Sequence, residues 1–61
     1  MTREQPTALA QRLQAHFAAQ GKDILVRYVG GGWIAYRART TPGPEITFRT
    51  GYVRAMLDRA A

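Results

Sequence analysis

Asp23-Ile-Leu-Val-Arg-Tyr-Val-Gly-Gly-Gly-Trp-Ile-Ala-Tyr-Arg-Ala-Arg39 decides the fold. Asp23 to Val29 is rich in β-branched, aromatic and aliphatic residues, the composition of a strand. Gly30-Gly31-Gly32 follows, and glycine accepts the positive φ angles that a short hairpin demands. Trp33 to Arg39 is the returning strand. The stretch therefore predicts a β-hairpin.

The flanks complete the fold. Upstream, Leu9, Leu13 and Phe17 recur every four residues with Ala10 in the same stripe, which predicts a helix over 6–20. Pro6 suits its first turn and Gly21 its C-terminal stop. Downstream, Thr40-Thr-Pro-Gly-Pro44 reads as a stiff turn. Glu45 to Arg49 reads as a short third strand, with Ile46 and Phe48 on one side. Thr50 is a good N-cap for a second helix over 51–60, carrying Val53, Met56, Leu57 and Ala60 at helical spacing. The expected fold class is α+β, in the order α-β-β-β-α: a three-stranded antiparallel sheet with two helices on one face. The 61 residues form one small domain, 1–61.

The large apolar set is adequate for one core and comprises Leu9, Leu13, Phe17, Ile24, Leu25, Val26, Val29, Ile34, Tyr36, Ile46, Phe48, Val53, Met56 and Leu57. A domain of this size buries only about 60% of the surface of its unfolded chain. With no cysteine, neither a disulfide nor a thiolate metal site supports it. No stretch approaches the roughly 20 apolar residues that span a bilayer. No signal-peptide pattern opens the chain, and a cytoplasmic location without membrane association is the expectation.

The net charge is +5, and it is unevenly placed. Residues 1–26 carry three basic and two acidic side chains, whereas residues 27–61 carry six and two. That skew favours an anionic partner, either nucleic acid (DNA or RNA) or an acidic protein surface. Strand alternation shows where the charge goes. Ile24, Val26, Tyr28, Ile34, Tyr36, Ile46 and Phe48 share the core face. Arg27, Trp33, Arg37, Arg39 and Arg49 share the other, with Leu25 and Val29 among them. Arginine forks clamp phosphates and an exposed indole stacks on bases. Arg54, near the start of the second helix, joins this set because a helix N-terminus attracts anions. The same arginines also suit a plainer role, keeping an uncovered sheet soluble. Trp33 equally suits a lid at the hairpin end, resting on Leu25 or Val29.

Catalytic equipment is sparse, and no enzyme activity is expected. There is no serine or cysteine nucleophile. His16, the only histidine, sits at the rim of the apolar stripe with no sequence partner. The four acids are scattered, so no cofactor and no metal are expected. The triple glycine joins two strands, whereas a phosphate loop opens a helix.

Leu9-Ala-Gln-Arg-Leu13, the helix exit at Gly21, the hairpin after Val26-Arg27 and the closing Thr50-Gly-Tyr-Val-Arg-Ala-Met-Leu57 give a resemblance to the double-stranded-RNA-binding-like fold. Among short proteins of that fold, the chain is similar to HicA-type bacterial toxins. The resemblance implies RNA affinity. It does not imply cleavage, because Gly31-Gly32-Trp33-Ile34 stands where those ribonucleases carry their catalytic histidine. Three functions are thus expected to compete. The first is a nucleic-acid-binding module on the arginine face. The second is a protein-binding module, such as a small phage- or plasmid-encoded inhibitor of a larger host protein. The third is a homo-oligomeric structural protein, for which a homodimer is the simplest form.

Overall fold

A computed structural model describes residues 4–60. The elements run α1 (Pro6–Ala19), β1 (Ile24–Gly30), β2 (Trp33–Ala38), β3 (Ile46–Arg49) and α2 (Thr50–Ala60). The expected α-β-β-β-α order holds, and each boundary falls within one residue of its expectation.

α1 starts at Pro6, whose missing N–H costs nothing in a first turn. It ends in a Schellman motif. Gly21, at φ +75°, donates to the Ala18 carbonyl, and Lys22 donates to that of Phe17, each at 3.0 Å. β1, β2 and β3 form an antiparallel meander in that spatial order. In the first hairpin, Tyr28 faces Ile34 but Gly30 faces Trp33, so Val29 is an extra residue bulged out of the ladder. Gly31 and Gly32 make the two-residue turn at φ +63° and +84°. Positive φ at both central positions matches the right-handed strand twist. The Gly32 N–H also reaches the Tyr28 hydroxyl at 3.3 Å.

α2 follows β3 with no connecting loop. The Thr50 N–H donates to the Gly32 carbonyl at 3.0 Å, so Thr50 extends the ladder one step as it opens the helix.

Both helices lie on one face of the sheet. Leu9, Ala10 and Leu13 of α1 meet Val26, Ile34, Val53 and Leu57 in a single buried cluster. Phe17, Ile24, Tyr28, Tyr36, Phe48 and Met56 pack around it, half-buried. An aromatic row runs along its margin. Phe17 meets Tyr36 at 5.3 Å between ring centroids, Tyr36 meets Phe48 at 5.7 Å, and Phe48 meets Tyr52 at 5.0 Å. Three members of the large apolar set stay outside this core, and of these only Ile46 was expected on the core face. Ile46 points to the helix side but is 48% exposed, and it does not pack on the cluster. It begins the outer strand, beyond the reach of either helix's buried stripe. Val29 is exposed because the bulge lifts it out of the ladder, and Leu25 is half-buried on the opposite face.

No helix among the described residues is long and apolar enough to cross a membrane.

Candidate nucleic-acid interface on the bare sheet face

The face turned away from the helices carries Leu25 and Arg27 from β1, Trp33, Ala35 and Arg37 from β2, and Thr47 and Arg49 from β3. Cross-strand register sets Leu25 beside Arg37, Arg27 beside Ala35, Ala35 beside Thr47, and Trp33 beside Arg49. The expected grouping of Arg27, Trp33, Arg37 and Arg49 on one face is correct.

The arginines are not equivalent. Arg27 reaches across the whole sheet to Glu45, donating through Nε at 2.9 Å and Nη2 at 2.8 Å to its two carboxylate oxygens. Arg27 lies on β1 and Glu45 immediately precedes β3, about 10 Å across the sheet, so the pair must cross β2. Ala35 is the β2 residue opposite Arg27, and its small methyl leaves room for the guanidinium to pass. Ala35 is 1% exposed although it faces away from the core, as a side chain roofed by its neighbours should be. The two-point contact is the strong form of an arginine–carboxylate pair. It raises Arg27 above the usual guanidinium range. Glu45 is held below the usual carboxylate range, first by the Arg27 hydrogen bonds and also by the nearby Arg37 charge.

Arg39, just past the end of β2, donates through Nε to Asp23 at 2.8 Å, while its N–H bonds the Asp23 carbonyl. Two of the four arginines expected at this face therefore have carboxylate partners. Asp23 and Glu45 neutralise half of this set: register sets Asp23 beside Arg39, and Arg27 reaches diagonally across the sheet to Glu45.

Arg37 and Arg49 have no carboxylate within salt-bridge distance among the described residues. Arg37 makes only a long 3.4 Å contact to the Ala38 carbonyl. Arg49 lies over the Trp33 ring, its guanidinium carbon 4.7 Å from the ring centroid, a cation–π arrangement. Trp33 is thus covered by Arg49, and it stays 37% exposed.

Arg54 is corrected. It belongs to the helix layer, on the far side of the core from the arginine face. Its Nη2 donates to the Glu4 carbonyl at 3.2 Å, tying α2 to the entry of α1, and its Nε is buried with no hydrogen-bond partner. Arg12 reinforces the same seam, bonding Glu4 at 3.0 Å and Asp58 at 2.7 Å. Helical periodicity turns residue 54 back toward α1, which strand alternation could not reveal.

No group of three or more His, Asp or Glu side chains able to hold a metal exists among the described residues. His16 contacts Gln20 at 2.9 Å, one turn along α1.

No family model, curated protein or solved structure matches this chain.

Proposed function

We propose that the protein is a small nucleic-acid-binding module that grips the phosphate backbone with its bare sheet face. The observation that carries this reading is the pair of uncommitted cationic groups there, Arg37 and the Arg49–Trp33 stack, on a sheet surface no helix covers. Arg37 and Arg49 meet phosphates without first giving up a carboxylate. Arg27 and Arg39 contribute only by exchanging Glu45 and Asp23 for phosphate, which makes them secondary. Trp33 supplies an aromatic plane for an unpaired base. The proposal extends to the fold likeness with double-stranded-RNA-binding-like proteins, supported by element order and basic charge. Arg54 has no part in it.

The test is a salt titration of binding to a short duplex and to a single strand of equal length, followed by the fluorescence of the sole tryptophan. Each neutralised duplex phosphate contributes about 0.9 to the slope of log K against log salt. Arg37→Ala combined with Arg49→Ala should flatten that slope by roughly two phosphate equivalents. Equal slopes in the parent and the double variant refute the assignment.

A second reading, an acidic protein surface as partner, is favoured by the Arg27–Glu45 fork, since the face already holds a carboxylate in this geometry. Trp33 would be its anchor. Retention of one protein partner after nuclease treatment of a pull-down selects this reading; loss of the partner selects nucleic acid.

A further inference from the structure

The two edges of the sheet are unlike. On β1 the outward N–H of Val26 donates to Gln14 Oε1 at 3.1 Å, so a side chain of α1 occupies that edge. On β3 the Thr50 N–H bonds the Gly32 carbonyl, one step beyond the Trp33–Arg49 pair. Backbone groups alternate in direction along an antiparallel strand. Ile46, Phe48 and Thr50 therefore aim theirs at β2, while Thr47 turns both its N–H and its C=O outward. The Glu45 carbonyl and the Arg49 N–H share that outward direction. Among the described residues, nothing bonds the Thr47 N–H. An open edge of this kind is a template for another strand.

The edge sequence Glu45-Ile-Thr-Phe-Arg49 is chemically symmetric: acid, apolar, threonine, apolar, base. The geometry points to a two-fold dimer in which β3 pairs antiparallel with β3 of a second copy, Thr47 opposite Thr47. In that register Ile46 meets Phe48 of the second copy on the helix side, and Glu45 meets Arg49 on the sheet side. The two-fold axis repeats both pairs, as a self-complementary interface requires. Sliding by one pleat in one sense sets Glu45 against Gly51; in the other it sets Phe48 against Pro44. Neither brings opposite charges together, so cross-strand charge pairing selects the register.

The exposed apolar groups agree with this occupant. Ile46 and Tyr52 are 48% and 57% exposed on the helix side of the edge. Glu45 would stand between Arg27 of its own chain and Arg49 of the other. A stable interface takes about 800 Å² from each partner, nearly a fifth of the 4393 Å² surface of this chain. One five-residue edge with a short apolar strip falls below that. The dimer is therefore a weak one. It does not depend on the nucleic-acid reading.

Sedimentation equilibrium of the full chain, from ten micromolar to one millimolar, should show dimer accumulating across the range. Thr47→Pro removes the outward N–H, which the single chain does not use, and proline is tolerated at such edge positions. It should raise the dissociation constant at least about tenfold with the far-ultraviolet spectrum unchanged. Because the chain has no cysteine, Thr47→Cys tests the register separately: facing residues fall within disulfide reach, so mild oxidation should link this variant much faster than Thr7→Cys on the α1 surface. A parent chain monomeric at one millimolar overturns the proposal. So does an unweakened dimer in Thr47→Pro, or equal cross-linking of the two cysteine variants. Should Thr47→Pro unfold, the cysteine pair and the parent's sedimentation decide alone.

Discussion

Ala35 shows how much one small side chain arranges. A methyl at the centre of the sheet leaves room for Arg27 to cross to Glu45, while Arg39 takes Asp23, so two of the four arginines are committed. The carboxyl of Glu45 should titrate below the usual range when followed by carboxyl carbon NMR, and Arg27→Ala should return it upward. The consequence for stability has a definite sign. A carboxylate whose folded value is depressed stabilises the fold fully above its unfolded value, and that gain is lost as pH falls through the folded one. Melting temperatures of the parent and Glu45→Gln should thus differ at neutral pH and converge below about pH 4. A gap that persists in acid would mean the pair contributes through packing and not through charge.

At the scale of elements, the first hairpin is set by local chemistry and the outer strands by their neighbours. Gly31 sits at φ +63°, a region that costs an ordinary residue about 1–2 kcal/mol. Gly31→Val should lower the urea midpoint by a corresponding amount with little change in slope. Gln14 covers an edge that would otherwise be open. Gln14→Ala should cost about 1 kcal/mol and hasten hydrogen exchange at the Val26 amide. Exchange there at the parental rate would show that water replaces the side chain without loss. α1, its Schellman exit and the triple-glycine turn were all legible in the sequence, because each rests on residues close together in the chain. The exposure of Ile46 was not legible. Alternation assigned it correctly to the helix side, but whether a helix reaches the start of β3 depends on where α1 and α2 lie.

For the whole molecule, the sealed core is small. Leu9, Leu13, Ile34 and Val53 are its largest fully buried side chains. Replacing one buried leucine by alanine costs about 2–5 kcal/mol, against total stabilities of about 5–15 kcal/mol for ordinary domains. Leu13→Ala should leave a chain partly unfolded at 25 °C, seen as a broadened, early thermal transition by circular dichroism. A melting temperature that rises with protein concentration would accompany the β3 dimer, since association stabilises the folded state by mass action.

Composition and periodicity alone determined the helices, the hairpin, the antiparallel order and the side of the sheet on which Arg27, Trp33, Arg37 and Arg49 emerge. Those features depend on backbone preferences and on the alternation of side chains along a strand. Only the tertiary structure decided which arginines are occupied, that Arg54 serves the seam between the helices, and that β1 has a covered edge while β3 has an open one. Each of these depends on a contact between residues distant in the chain, such as Arg27 with Glu45 or Gln14 with Val26, and pairings of that kind are fixed by register and docking.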